Sequence, residues 1–127
     1  MAGFIKLTSA DGFVFPAWVV EPVGKPVGAV VVLQEIFGVN AHIREVTEVY
    51  AAKGYLAVAP ATFHRVKQGV EMGYTPDDIA AGIALKAAVE GLPAPGVLPD
   101  IQAAIDYAAQ TLGMSGKVGL VGYCWGG

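Results

Sequence analysis

The single cysteine of the chain, Cys124, sits in Gly122-Tyr123-Cys124-Trp125-Gly126. This is a glycine–x–nucleophile–x–glycine pattern with a thiol in the place of the usual serine. The spacing points to nucleophilic chemistry. A nucleophile at the tip of a sharp strand-to-helix turn holds a strained backbone, which crowds the residues two before and two after it and calls for glycine at 122 and 126. Such a turn lifts the thiol out of the sheet, and a following helix would aim its positive end at the sulfur and favour thiolate. The same residues admit a blander account, a small apolar cysteine buried in a glycine-rich bend. A second pair with chemical capacity, Gln34-Glu35, follows the apolar run 28–33. A lone strand-end glutamate is ordinarily solvated, but Glu35 lies between Val30–Leu33 and Ile36-Phe37, which argues against free solvation.

The elements that must position these residues follow from periodicity. Residues 4–8 and 13–20 alternate in polarity around Ser9-Ala10-Asp11-Gly12, the signature of a hairpin. Pro16 demotes its second strand to a sheet edge. The β-branched run 28–33 predicts a strand covered on both faces. A helix capped by Asn40 recurs through Ile43, Val46, Val49 and Tyr50 and stops at Gly54. Residues 55–59 form a buried strand ended by Pro60, and 61–74 is polar and irregular. Thr75-Pro76-Asp77-Asp78 opens a second helix, with Ile79, Ile83 and Ala87 as a modest apolar face. A proline-rich loop over 91–99 precedes a third helix, 100–112, that buries Ile101, Ala104, Ile105, Ala108 and Leu112. Residues 117–121 are the last strand. The alternation predicts a mostly parallel α/β sheet preceded by an antiparallel hairpin, with ligands beyond the carboxyl ends of its strands, where both Glu35 and Cys124 fall. There is no internal repeat.

Composition narrows the function. The 127 residues suffice for one domain with a genuine core. Hydrophobic residues make up 54% and charged residues 15%, a balance that suits a sheet buried on both faces or a segment with more protein against it. A net charge of −3 without a basic stripe argues against nucleic acid and anionic membranes. One cysteine excludes an internal disulfide and the paired spacings of a zinc site. The start lacks a signal peptide, and Val27–Leu33 is too short to cross a bilayer, so a soluble, cytoplasmic protein is expected.

The segment Gln34-Glu35-Ile36-Phe37-Gly38-Val39-Asn40, followed by Ile43-Arg44-Glu45, and the closing run Lys117 to Gly127 together strongly resemble the dienelactone hydrolase family. These are cysteine-dependent α/β-hydrolases, the carboxymethylenebutenolidases. The resemblance runs from the hairpin to the last residue and covers only the first half or so of a family member. It implies an α/β-hydrolase-type sheet, incomplete at the C-terminus, with 1–127 as the N-terminal portion of a single domain. It implies Cys124 as the nucleophile toward a small ester or lactone, giving an acyl-thioester, and Glu35 as the carboxylate that holds the resting thiol and keeps it neutral. The backbone N–H groups of Ile36 and Trp125 match the family's oxyanion hole. No metal and no cofactor are implied. The catalytic histidine and aspartate would come from a segment after the elbow, since neither His42 nor His64 stands at the family's histidine position. Phe37 and Trp125 are candidate pocket walls or core residues. Arg65 lies near a family arginine and is a candidate substrate contact, while Trp18 and Tyr107 read as packing. Arg44 and Arg65 are the only arginines, so the mid-chain clamp for an anionic dienelactone is missing and a more neutral ester or lactone is expected.

Two rivals stand beside this reading. Class I glutamine amidotransferases also carry glycine–x–cysteine–x–glycine elbows, though the Gln34–Asn40 block and the hairpin count against them. The other is a non-catalytic fragment or half-domain that needs a C-terminal partner, because an uncovered apolar sheet edge would pair with something.

Overall fold

The structure, a computed structural model, describes residues 2–113 and 117–127. Five strands form one sheet in the order β1-β2-β4-β3-β5, with β1 Ala2–Thr8, β2 Val14–Val20, β3 Gly28–Leu33, β4 Tyr55–Pro60 and β5 Val118–Gly122. The sheet is mixed. β3 pairs in parallel with β4 and β5, and the β1–β2 hairpin extends it by antiparallel pairing of β2 with β4. Helices α1 (Ala41–Ala52), α2 (Pro76–Glu90) and α3 (Leu98–Leu112) occupy the connections. Among the described residues no helix is long and apolar enough to cross a membrane.

β3 and β4 are covered on both faces, as continuous apolar runs require. On one face α3 sets Ala104 and Ala108 against Ala29, Val31, Leu56 and Val58. On the other, Ile43 of α1 packs with Val32, Val39 and Ala59. Fully burying a side chain such as Ile43 or Phe15, neither with any exposed surface, contributes about 1.5–3 kcal/mol. Asn40 caps α1 by accepting a hydrogen bond from the Ile43 N–H at 3.1 Å. Its amide nitrogen donates to the Met72 carbonyl at 3.0 Å, so one side chain starts the helix and ties down the irregular segment 61–74. Thr75 and Asp78 form a reciprocal capping box on α2.

Three expectations need correction. Pro16 does not mark an edge, because β2 lies between β1 and β4. The proline is tolerated because pairing with β4 begins only at Ala17, opposite Pro60, and the Pro16 carbonyl is still used, accepting from the Ala61 N–H at 3.0 Å. In α1, Val49 is exposed, and Thr47 and Ala51 take the buried positions beside Ile43. In α2, Ile79, Ile83 and Ala87 face outward, and the buried residues are Gly82 and Val89. Seven residues apart, these two share one face. The missing side chain at 82 explains the choice: a Cβ there would lie 2.5 Å from the Ile36 carbonyl oxygen, so the helix approaches the Ile36 backbone as only glycine allows.

Replacing glycine by alanine inside an unobstructed helix stabilises it by about 1 kcal/mol. Gly82→Ala is expected to do the reverse, because neither the helix backbone nor the Ile36 carbonyl can give way cheaply. A lowered midpoint in thermal unfolding is the expected result.

Candidate active site

β3 and β5 are neighbouring parallel strands in a register that pairs Leu33 with Gly122. The residues that follow each strand therefore leave the sheet side by side at its carboxyl edge: Gln34-Glu35 from one, Tyr123-Cys124 from the other. Cys124 has φ 56°, and it is the one non-glycine residue with positive φ among the described residues. That conformation costs a side-chain-bearing residue of order 1–3 kcal/mol. The chain then makes a single 3₁₀ turn, Cys124–Gly126, in which the Gly126 N–H donates to the Tyr123 carbonyl at 3.0 Å and the Gly127 N–H to the Cys124 carbonyl at 3.1 Å. The thiol is exposed.

The flanking glycines are sterically forced. A Cβ on Gly122 would fall 1.8 Å from the Gly126 carbonyl oxygen. A Cβ on Gly126 would fall 2.6 Å from the Gln34 carbonyl oxygen and 2.7 Å from that of Leu33. The turn thus folds onto itself and presses against the end of β3.

Glu35 is half-buried. Among the described residues its Oε1, shielded from solvent, has no hydrogen-bond partner, and no hydrogen bond joins it to Cys124. Trp125 stacks on Phe63 at 5.0 Å between centroids. Phe37 is buried, with the ring of Tyr74 edge-on at 4.6 Å. A cavity of about 190 Å³ is lined by Leu33, Gln34, Thr62, Ile101, Trp125 and Gly126, among others. A larger one of about 440 Å³ opens between Phe4, Gln34, Phe63, His64 and Glu71. Gln34 lines both, while Cys124 and Glu35 line neither.

Arg65 does not stand free to meet a substrate. Its Nε and one terminal nitrogen grip both oxygens of the buried Asp100 carboxylate, each at 2.8 Å. The other terminal nitrogen reaches Asp11 at 2.8 Å, and the guanidinium lies 4.4 Å over the Phe13 ring. Arg65 therefore clamps the hairpin turn and the start of α3 to the segment after β4, a use that sequence spacing could not reveal because its partners lie 35 and 54 residues away. The Arg65 guanidinium, with help from the Ser9 hydroxyl and the Phe13 N–H, holds the Asp11 carboxyl well below the usual carboxylate range. The two carboxylates in turn raise Arg65 above its ordinary value. His42 is exposed on α1. His64 has a buried Nδ1 with no partner among the described residues, and burial lowers its pKa against the pull of Asp100. Among the described residues no cluster of three or more His, Cys, Asp or Glu is placed to hold a metal ion.

Known proteins resemble this chain in sequence and in fold. A family model described as the dienelactone hydrolase family matches residues 15–127. A provisionally named carboxymethylenebutenolidase of Synechocystis sp. is 50% identical over 100 residues, 77% of this chain and 39% of its own length. A carboxymethylenebutenolidase of Pseudomonas putida is 37% identical over 97% of this chain and 51% of its own. The crystal structure of a provisionally named dienelactone hydrolase from Klebsiella pneumoniae superposes with TM-score 0.78 at 31% identity, covering 99% of this chain and 50% of that one. The chain spans about half the length of these relatives or less.

The clamp predicts an acid-sensitive stability. Asp11 stays ionised in the folded state at pH values where the unfolded chain already binds a proton. Its contribution is thus complete above the ordinary carboxylate value of about 4 and fades as pH falls below it. Chemical denaturation across pH 2–6 is expected to show a shallower acid loss in Asp11→Asn than in the wild type. Arg65→Met, which leaves the Asp100 carboxylate buried and unpaired, is expected to cost about 3 kcal/mol at neutral pH, the lower end for breaking a buried pair since Arg65 keeps some contact with water.

Proposed function

The chain belongs to the dienelactone hydrolase family, and from that premise we propose that the full-length protein hydrolyses a small ester or lactone through an acyl-thioester on Cys124. The observation that carries the proposal is the backbone of Cys124. A non-glycine residue is held at φ 56° between two glycines that no side chain could replace, at the carboxyl end of β5 beside the end of β3. Strain of this kind persists only where the surroundings enforce it, and it clusters at sites of chemistry.

In the reaction the thiol proton passes to a base. The sulfur lone pair forms a C–S bond to the substrate carbonyl, and the carbonyl π pair moves to oxygen. The N–H groups of Ile36 and Trp125 would receive that oxyanion, each donor contributing about 3 kcal/mol. Collapse of the intermediate breaks the C–O bond, and the departing alkoxide takes up a proton. Water then attacks the thioester, the C–S bond breaks, and the acid leaves as sulfur regains its proton. Glu35 is assigned to hold the resting thiol: its Oε1, which meets no donor among the described residues, is an acceptor open to S–H. The histidine and aspartate that relay protons in the family belong to a segment beyond the elbow. With Arg65 committed to Asp11 and Asp100, a neutral substrate fits better than an anionic one.

Cys124→Ala in the full-length protein is expected to abolish hydrolysis of an activated aryl ester while leaving the unfolding midpoint close to wild type, since alanine carries the same Cβ at φ 56°. Wild-type turnover in that variant would end the proposal, and glutaminase activity without esterase activity would favour the amidotransferase reading.

A further inference from the structure

Gln34 is one of the most deeply buried polar side chains, 1% exposed, and the nucleophilic reaction gives it no direct task. Its amide makes two bonds to main chain. Nε2 donates to the Glu35 carbonyl at 3.0 Å, and Oε1 accepts from the Thr62 N–H at 3.1 Å. The Glu35 carbonyl belongs to the same planar peptide unit as the Ile36 N–H. In a trans peptide these two groups point in opposite directions, so a bond that fixes the carbonyl also fixes the N–H. Among the described residues the Ile36 N–H donates to no acceptor, which leaves it available to an incoming oxyanion.

The surroundings remove the remaining freedom. Thr62 follows Ala61, whose N–H is anchored on the Pro16 carbonyl of β2, so the amide acceptor is held by the sheet. On the far side of Ile36, its carbonyl is backed by Gly82 of α2. The Gln34 carbonyl itself abuts Gly126 of the elbow. One residue thus touches the nucleophile turn through its backbone and orients the facing peptide through its side chain.

We propose that Gln34 is a positioning residue for the oxyanion hole: its carboxamide pins the Glu35–Ile36 peptide so that the Ile36 N–H is preset for the developing oxyanion. This rests on the reading of Cys124 and Ile36 given above. It names a residue that touches neither substrate nor sulfur, and whose effect falls on the transition state.

The test compares Gln34→Glu and Gln34→Met with wild type in the full-length protein, on an aryl ester and on its thionoester analogue, well below each variant's unfolding temperature. Glutamate keeps an acceptor for Thr62 but turns a second oxygen toward the Glu35 carbonyl, whereas methionine keeps the shape and makes neither bond. Both variants are expected to lose tenfold or more in kcat on the oxygen ester with KM changed by less than about twofold. The loss is expected to be markedly smaller on the thionoester, whose sulfur accepts hydrogen bonds poorly and so gains little from the hole. A merely structural role would lower both substrates alike, and equal losses, or unchanged kcat, would overturn the inference. Cys124→Ala run in parallel separates the two levels. If it is inactive while Gln34→Met is fully active, only the role of Gln34 fails; if it is fully active, the nucleophile reading fails and takes this one with it.

Discussion

The contact on which this structure depends is the approach of the Gly126 backbone to the last carbonyls of β3. With 2.6–2.7 Å from a notional Cβ to the Gln34 and Leu33 oxygens, any side chain at 126 would push β5 and its turn away from β3. The Leu33–Gly122 register and the φ of Cys124 would go with it. Parallel neighbours align their carboxyl ends, so this one packing constraint converts a sheet register into the adjacency of a thiol and a carboxylate-bearing loop. The strain at Cys124 is sustained because the turn has no room to relax: Gly122 is pressed by Gly126 just as Gly126 is pressed by β3.

A second set of contacts braces the loop opposite the elbow. Gly38 has φ 83°, and a Cβ there would lie 2.0 Å from the Val70 carbonyl oxygen. The Met72 N–H donates to the Phe37 carbonyl at 2.9 Å, and Arg44 pairs with Glu71. Segment 61–74, which has no regular structure of its own, is therefore fastened along its length to residues 37–44. Arg65 fastens its first turn to the hairpin and to α3. Irregular backbone held this way can be as fixed as a strand, because its polar groups are paired and its glycines admit close approach.

The legible part of this fold was the part governed by local rules. Asn40 and Thr75 as caps, Gly54 as a stop, and the runs 28–33 and 55–59 as buried strands each follow from residue type and spacing over a few positions. The glycine pair at 122 and 126 was readable because the nucleophile pattern states its own steric requirement. What failed depended on contacts made far along the chain. The buried face of α2 is chosen by Gly82 meeting Ile36, so its isoleucines misled. Pro16 marked an edge only on the assumption that β4 would run past it. The ion pairs of Arg65 with Asp11 and Asp100 were equally out of reach, because neither partner stands near it in sequence. Gln34 was visible beside Glu35, but an uncharged amide announces nothing until its two main-chain partners are known.

The division of labour within the site follows from where each kind of group can be held. On the proposed reading, the nucleophile, the strand-end carboxylate and the oxyanion donors are groups placed by main-chain geometry at the ends of β3 and β5. On that reading proton relay needs an imidazole held beside the thiol. His42 is exposed on α1. His64 lines the larger cavity, which Cys124 does not reach, and burial favours its neutral form. The relatives that share this half of the fold are about twice as long. If the proton relay is supplied from elsewhere, as the proposed reading requires, the strained elbow can stay rigid, because no group that must change partners during the reaction is built into it.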